Sequence, residues 1–257
     1  MSKTIYRNEL IMMWPETIDV LLNHRSIRKF KSNPIPQPTL AKIIEAAQQA
    51  STSSSMQCFT VINVSDRDKR KQLAELSGNQ AYIEECPVFL VWCADLFRYE
   101  QAAKLHFEGD MTSTVENFIV ATVDTALAAQ NAAIAAESLG YGIVYIGGIR
   151  NNPQEVSALL GLPSHVYPVF GMCMGEPDQA PLRRPRLPQQ AILHEDSYDQ
   201  KAVESGIREY DETIRQYMLE RSEGKLNTSW SESMAAKINH PRLHMGEFLR
   251  SKGFLQQ

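Results

Sequence analysis

The sequence has few cysteines, no excess of positive charge and no long uncharged apolar run. Four cysteines occur in 257 residues, none of them in a CxxC pair, and each lies among apolar neighbours. We therefore predict free, buried thiols in a reducing compartment rather than disulfides or a zinc site. The formal net charge of −4 disfavours broad binding to nucleic acid or acidic membranes, because such binding needs a net basic surface.

Segments for export or membrane insertion are not evident either. Residues 1–14 carry charged side chains and lack the uncharged stretch and the cleavage site of a signal peptide. The most apolar stretch, residues 115–139, has 16 apolar residues in 25 but also contains Glu116, Asp124 and Glu137. We expect a buried helix there rather than a membrane span. The prediction is a soluble, cytoplasmic protein with neither a nucleic-acid nor a membrane partner.

The common catalytic and nucleotide-binding motifs are missing from the sequence. Gly140 and Gly142 begin a GxG pattern, but Tyr145 stands where the dinucleotide-binding fingerprint needs its third glycine. There is no P-loop, no HExxH zinc motif and no GxSxG nucleophile elbow. His240 and His244 are four residues apart, but the intervening proline and the lack of a carboxylate pattern disfavour a metal site. The sequence predicts no bound metal and no side-chain nucleophile.

The pattern of apolar residues predicts an α+β protein, in which short β-branched or wholly apolar runs alternate with longer segments of helical spacing. Strands are predicted at residues 60–64, 87–94, 143–146 and 166–174, and helices at residues 15–22, 38–50, 66–76, near 96, 115–139, 153–160, 210–220, 230–238 and 246–251. After Gly175 the chain becomes proline-rich, which indicates an extended arm. We expect a core over residues 1–175 and a C-terminal extension over residues 176–257, within one structural domain.

Two arginine-rich segments suit the binding of anions. Arg25 and Arg28 follow the first predicted helix, and their guanidinium groups, with the Ser26 hydroxyl, suit bidentate contacts to phosphate. A solvated basic run at a helix exit is the alternative. Residues 183–188 hold three arginines between prolines, and their stiff backbone favours a preorganised anion contact over solvated surface charge.

Two other segments offer hydroxyl, amide and backbone N–H groups. Residues 51–57 contain five consecutive hydroxyl side chains and end in Gln57, although on this segment alone a turn held by side-chain-to-backbone bonds is the favoured explanation. Residues 145–152 follow a predicted strand and contain Gly147 and Gly148, which allow backbone N–H groups to approach a ligand closely. A plain tight turn is the alternative for this glycine pair.

Taken in order along the chain, these segments resemble the nitroreductase superfamily. The motifs are HRSIR at residues 24–28, the serine-rich segment ending in Gln57, GNQ at 78–80, AESLG at 136–140, YIGGIRN at 145–151, PRLP at 185–188, YDE at 210–212 and WSE at 230–232. More narrowly, the sequence is similar to the oxygen-insensitive NADPH nitroreductases and flavin reductases. The likeness runs from about residue 23 to residue 230 and so covers most of the chain.

The resemblance implies a nitroreductase-like mixed sheet surrounded by helices. It also implies an intertwined homodimer whose C-terminal extensions wrap around the partner subunit, with two FMN molecules at the interface and NADPH as co-substrate. The segment at residues 115–139 is apolar on most of its circumference, so it must pack inside a core or against a second subunit. The resemblance makes it the central interface helix.

The resemblance also assigns site residues by position. Those that would bind FMN, some of them from the partner subunit, are His24, Arg25, Ser26, Arg28, Thr52, Ser53, Ser54, Gln57, Gln80, Tyr145, Ile146, Gly147, Gly148, Arg184 and Arg186. Arg184 is the candidate for stabilising the reduced flavin, and Arg221 with Lys225 would meet the 2′-phosphate of NADPH. Arg184 stands where many members have lysine, and Thr52 interrupts the serine run, but the charge and the hydroxyl group are kept.

The activity implied by the resemblance is two-electron, ping-pong reduction of nitroaromatics, quinones or related acceptors by NADPH. An NADPH-dependent FMN reductase that supplies reduced flavin is the alternative among enzymes, and it shares every residue named above. A non-catalytic FMN-binding module is the alternative from another class. Arg221 and Lys225 disfavour the module, because storage of FMN needs no site for NADPH.

Overall fold

The computed structural model describes residues 4–7, 10–13, 15–109 and 113–257, with backbone only for the first two ranges. Parts of the N-terminal segment considered for a signal peptide lie outside the described residues. The strands are β1 (Thr4–Arg7), β2 (Leu10–Met13), β3 (Phe59–Asn63), β4 (Val88–Asp95), β5 (Gly142–Ile146) and β6 (Val166–Gly175). The helices are α1 (Glu16–Leu22), α2 (Gln37–Gln48), α3 (Arg67–Leu76), α4 (Tyr82–Glu85), α5 (Phe97–Ala103), α6 (Val115–Ser138), α7 (Pro153–Leu159), α8 (Gln200–Arg221), α9 (Trp230–Ile238) and α10 (His244–Ser251).

The chain divides into two compact units, the first made of Met1–Pro181 and His244–Gln257 and the second of Leu182–Leu243. In the first unit, four strands form one sheet in the order β3-β4-β6-β5, and β1 pairs with β2 in a separate hairpin. Every strand pairing is antiparallel, so the mixed sheet that was predicted is not found within the described residues. Apolar runs indicate burial on both faces, but they do not specify the direction of neighbouring strands.

Helices cover both faces of the four-stranded sheet. Leu90 and Trp92 of β4 point to one face, where they pack with residues of α2 and α6. Phe89 and Val91 alternate with them and pack on the other face with residues of α3, α4 and α7. The side-chain alternation of a strand thus places the sheet in the middle of three layers. The predicted α+β class is confirmed, and all four predicted strands are found within one residue of their expected bounds.

Helix α6 is buried on one side and exposed on the other. Its buried side consists mainly of alanines, which let the helix approach the sheet and α2 closely. The opposite side presents Val115, Ile119, Val123 and Leu127, each between 43% and 50% exposed and spaced four residues apart. By length and composition α6 could cross a membrane, contrary to the expectation from its polar residues. Its buried alanines make it a core helix of the first unit, and its exposed row is an apolar surface.

The second unit contains α8 and α9, which two sequence motifs join. The rings of Tyr210 and Trp230 meet edge to face with centroids 5.7 Å apart, and Asp211 accepts hydrogen bonds from Ser231. Helix α8 begins at Gln200, ten residues before its predicted start. The predicted helix was therefore too short at this end, and Gly206 lies inside the helix.

Candidate functional site

The segment at residues 24–28 is anchored along the outer edge of β5. The Ile27 N–H donates to the carbonyl of Ile143 at 2.9 Å, and Ile27 is only 5% exposed. A Cβ on Gly142 would lie 2.4 Å from the Ile27 side chain, so the glycine makes room for this anchor. At the start of the segment, His24 Nδ1 donates to Glu137 Oε1 at 2.6 Å, which ties the segment to the last turn of α6.

Arg28 reaches a chain of polar groups through Tyr82. Burial raises the pKa of Tyr82, while the charge of Arg28 and a hydrogen bond from its side chain act in the opposite direction. The Tyr82 hydroxyl donates to Gln80 Oε1, and Gln80 Nε2 donates to the carbonyl of Ser77 at 2.6 Å. Two of the predicted FMN-binding residues, Arg28 and Gln80, are thus linked by a tyrosine that the sequence analysis did not single out.

The two glycines after β5 have different roles. A Cβ on Gly148 would lie 2.3 Å from the Ser77 carbonyl oxygen and 2.4 Å from Gln80 Nε2, so Gly148 is needed for packing against the GNQ motif. A Cβ on Gly147 would meet only Arg150 Nη2, at 3.6 Å. The space on the Cβ side of Gly147 is therefore open, which allows a ligand to approach its backbone.

Tyr145 and Ile146 precede these glycines on β5. Ile146 is 1% exposed and packs in the core, so its side chain is not available to a ligand. The Tyr145 ring packs edge to face on Phe170 with centroids 5.1 Å apart, and its hydroxyl donates to Gln130 Oε1 at 3.4 Å. Burial raises the pKa of Tyr145, so the phenol stays protonated at neutral pH.

The hydroxyl segment at residues 52–57 has an unusual backbone. Ser53–Ser55 form a 3-10 turn, and the φ angles of Ser54, Ser55 and Gln57 are 48°, 56° and 51°. Side chains other than glycine are disfavoured in this left-handed region, so the surrounding structure must hold the segment in place. The backbone N–H groups of Ser53 and Cys58 both donate to the carboxylate of Asp124, at 3.0 and 3.1 Å.

Arg98 holds the same segment from its exposed side. Its Nη1 donates to the carbonyl of Gln57 at 3.1 Å and to that of Phe59 at 2.9 Å, and its Nη2 donates to Thr60 Oγ1 at 2.7 Å. A cavity of about 770 Å³ lies beside this network, and its lining includes Ser54, Ser55, Gln57 and Arg98. The hydroxyl segment thus borders a space large enough for a small molecule.

Within one chain, these predicted site residues form two separate groups. The first group contains the segment at 24–28, Gln80 and Gly147, and it lies at the β5 edge of the sheet. The second is the hydroxyl segment, which leads into β3 at the opposite edge, three strand spacings or about 14 Å away. Along α6, their contacts with Glu137 and Asp124 are 13 residues apart, which corresponds to about 20 Å.

The remaining predicted site residues lie in the second unit. Arg184 and Arg186 are exposed on an extended segment that the Tyr210 hydroxyl holds by donating to the Pro185 carbonyl at 2.8 Å. Arg221 is the last residue of α8, and Lys225 follows it in an exposed turn. Among the described residues, none of these four cations forms an ion pair, so their charges are available to an anion.

Several residues that shape the site were not predicted from the sequence, namely Tyr82, Arg98, Asp124 and Glu137. Tyr82 had a sequence signal, since it lies two residues after Gln80, within one short turn. Asp124 also had one, because a single carboxylate on the buried side of an alanine-rich helix requires a partner. Nothing in the sequence identified the partners of Arg98, Asp124 and Glu137, which are distant along the chain.

Comparison with known proteins identifies the family. The model of the "Nitroreductase family" matches residues 21–176, and that of the "Nitroreductase family, C-terminal domain" matches residues 184–257. A Bacillus subtilis protein named FMN reductase (NADPH) is 41% identical over 243 residues, which cover 93% of this chain and 98% of that protein. An oxygen-insensitive NADPH nitroreductase of Salmonella typhimurium is 39% identical over 239 residues, with the same coverage of 93% and 98%.

A solved structure shows the same fold. The structure of NfrA1 from B. megaterium superposes with a TM-score of 0.91 at 41% identity, covering 94% of this chain and all of that one. The predicted family, its fold and the oxidoreductase class are thereby confirmed. Because the family models and the relatives span most of the sequence, the chain belongs to the nitroreductase family.

Proposed function

We propose that this chain is an FMN-dependent NADPH oxidoreductase that reduces nitroaromatics, quinones or related acceptors by two-electron, ping-pong transfer. The names of the relatives support FMN as the flavin and NADPH as the reductant, in agreement with the sequence-based prediction. When bound, FMN supplies a carrier that takes a hydride from NADPH and passes two electrons to the acceptor. The observation that carries the proposal is the open face of Gly147 beside the linked side chains of Arg28, Tyr82 and Gln80.

The chain's own residues bind and orient the cofactor in this proposal. Arg25, Ser26 and Arg28 hold the phosphate and the ribityl chain, since guanidinium groups suit bidentate contacts with phosphate. The Gln80 amide and the backbone at residues 146–148 meet the ring, where Gly147 leaves the necessary space. In the same proposal, Arg184 and Arg186 bind FMN, and Arg184 stabilises its reduced form. Arg221 and Lys225 bind the 2′-phosphate of NADPH.

The proposed active form is a homodimer, because one chain holds the two groups of site residues at opposite edges of its sheet. A second copy would bring its hydroxyl segment, with Thr52, Ser53, Ser54 and Gln57, to the first copy's Gly147. The exposed apolar row of α6 supports this assembly, since four large apolar side chains on one helix face favour burial against a partner. The same proposal gives the extension after residue 175 the role of wrapping the partner, and the division between the two matched family models supports that boundary.

A visible spectrum tests the function directly. We expect the purified protein to be yellow, with flavin absorption at about 450 nm that NADPH bleaches in the absence of oxygen. A protein that stays colourless after incubation with FMN would contradict the proposal. A yellow protein that NADPH cannot bleach would instead identify a non-catalytic FMN-binding module.

An FMN reductase that supplies reduced flavin to other systems is the second candidate, and the B. subtilis relative of that name favours it. Both activities use the same residues, so they differ only in the acceptor. Comparing the rate of NADPH oxidation with excess free FMN and with a nitroaromatic acceptor separates them. The cytoplasmic location remains part of the proposal and is tested by cell fractionation.

A further inference from the structure

We infer that Asp124 is the positioning residue that holds the hydroxyl segment in the conformation that binds FMN. The inference rests on the proposed function, because it assigns the segment to FMN. Asp124 lies on α6 and is 1% exposed, so its carboxylate is removed from water. A buried carboxylate must be compensated by hydrogen bonds or charges, and here two backbone N–H groups provide the compensation.

The two hydrogen bonds of Asp124 enclose the segment. Oδ1 accepts from the N–H of Ser53 at 3.0 Å, and Oδ2 accepts from the N–H of Cys58 at 3.1 Å. The first and last residues of the stretch 53–58 are therefore both hydrogen-bonded to the Asp124 side chain. The residues between them, Ser54 and Gln57 included, carry the hydroxyl and amide groups proposed to meet FMN.

The backbone conformation of this segment explains why the hydrogen bonds to Asp124 are needed. Three non-glycine residues in the left-handed region are each disfavoured, and they persist only when neighbouring groups fix the chain. Arg98 binds the carbonyls of Gln57 and Phe59 from the exposed side, and Asp124 binds the N–H groups from the buried side. The Arg98 side chain is 56% exposed, so the buried Asp124 is the stronger constraint.

The position of Asp124 on α6 also links the segment to the proposed subunit interface. Val123 and Leu127, its neighbours along the helix, belong to the exposed apolar row. Asp124 therefore joins the hydroxyl segment to the helix that carries this row. The carboxylate sets where this segment lies relative to the interface across which we propose that it acts.

The experiment compares FMN binding by the apoprotein of the wild type and of Asp124→Asn. The asparagine is of nearly equal size, but it replaces one acceptor oxygen by an N–H₂ group and removes the charge. We expect the Kd for FMN, measured by quenching of flavin fluorescence, to rise about tenfold or more. Hydrogen exchange of the amides at residues 53–58 should also become faster, a change that does not depend on activity.

The matched control is Asn131→Ala. Asn131 lies two turns further along α6 and donates to the Ala46 carbonyl of α2 at 3.3 Å, whereas the hydrogen bonds to Ser53 and Cys58 come from Asp124. We expect its Kd for FMN to stay within about twofold of the wild type. An unchanged Kd and unchanged exchange in Asp124→Asn would overturn the inference. A wild-type protein without affinity for FMN would instead refute the proposed function.

A second variant keeps the inference testable if Asp124→Asn fails to fold. Asp124→Glu retains the charge and both acceptor oxygens but moves them outward by one methylene group. We expect it to fold and still to bind FMN more weakly than the wild type, with altered circular dichroism of the bound flavin. Wild-type affinity and an unaltered flavin spectrum in this variant would also overturn the positioning role.

Discussion

Ser231 makes two hydrogen bonds to Asp211: its backbone N–H donates to Oδ1 at 2.8 Å, and its hydroxyl donates to Oδ2. Burial opposes ionisation of this carboxyl, but the hydrogen bonds from Ser231 prevail and hold the pKa of Asp211 below its ordinary value. The contact joins the YDE and WSE motifs and so holds the start of α9 against α8, on the C-terminal side of the turn that contains Lys225. Two motifs noticed only as family signals therefore join the two helices that precede and follow the proposed NADPH-binding turn.

Replacing Arg221 by alanine should change the preference for the coenzyme. If Arg221 and Lys225 meet the 2′-phosphate, Arg221→Ala loses a charged hydrogen bond, and the KM for NADPH should rise about tenfold or more. The KM for NADH should stay nearly the same, because NADH lacks this phosphate. The control is Lys201→Ala, which removes an exposed charge from the opposite end of α8. An equal rise for both coenzymes would refute the 2′-phosphate role.

The hydrogen bonds from Ser231 to Asp211 should weaken at low pH. Because the folded-state pKa of Asp211 is lower than its ordinary value of 3.8, its stabilising effect is present above that value and is lost as the pH falls through the folded-state pKa. We expect Asp211→Asn to lower the urea midpoint at pH 6 and to differ less from the wild type near pH 3. A difference that stays constant between these pH values would show that the charge of Asp211 contributes nothing.

The sequence was informative where local pattern decides structure. Wholly apolar runs located β4 and β6, and GNQ and YIGG indicated a binding region whose Gln80 and Gly148 prove to be in contact. The first ten residues of α8 were not predicted, and they include Gly206, a glycine that allows close packing. Its Cβ would lie 2.5 Å from that of Ala191, which no local pattern reveals.

Contacts between distant parts of the chain could not be predicted. Asp124 accepts hydrogen bonds from Ser53 and Cys58, which precede it by 71 and 66 positions in the sequence. These hydrogen bonds depend on how α6 packs over the sheet. The separation of the site residues into two groups is also a property of strand order, since β3 and β5 are adjacent to neither each other nor a common strand. Spacing along the sequence specifies which residues are present, whereas topology decides which of them meet.

The two adjacent glycines should respond differently to the same substitution. Gly148→Ala would place a methyl group 2.3 Å from the Ser77 carbonyl oxygen, and the resulting overpacking should destabilise the fold by about 1–3 kcal/mol. Gly147→Ala meets only the end of the Arg150 side chain, at 3.6 Å, so its unfolding free energy should change little. If FMN lies against Gly147, this second variant should nevertheless bind FMN more weakly.

Urea denaturation and titration with FMN, applied to both variants, check these expectations. Each variant is the other's control, because they differ by one position and introduce the same methyl group. Normal FMN affinity in a stable Gly147→Ala protein would remove Gly147 from the flavin site. Wild-type stability in Gly148→Ala would show that Ser77 and Gln80 can move to accommodate the methyl group without a cost in unfolding free energy.

A mixed dimer provides the sharpest test of a site shared between two copies. Arg28→Glu disables the group at the β5 edge, and Ser54→Asp disables the hydroxyl segment, so each variant alone should bind little FMN. In a heterodimer of the two, one site combines both defects, while the other combines the intact Arg28 of one copy with the intact Ser54 of its partner. We therefore expect FMN at about half the wild-type occupancy in the purified heterodimer, along with recovered NADPH oxidation.

Recovery of FMN binding in the heterodimer cannot arise if both groups belong to a site within one chain, because every chain in the mixture then carries a defect. The control is a mixture of wild type with either variant, in which the heterodimer should likewise retain one intact site. A heterodimer of the two variants that binds no FMN, while both controls do, would assign the complete site to a single chain.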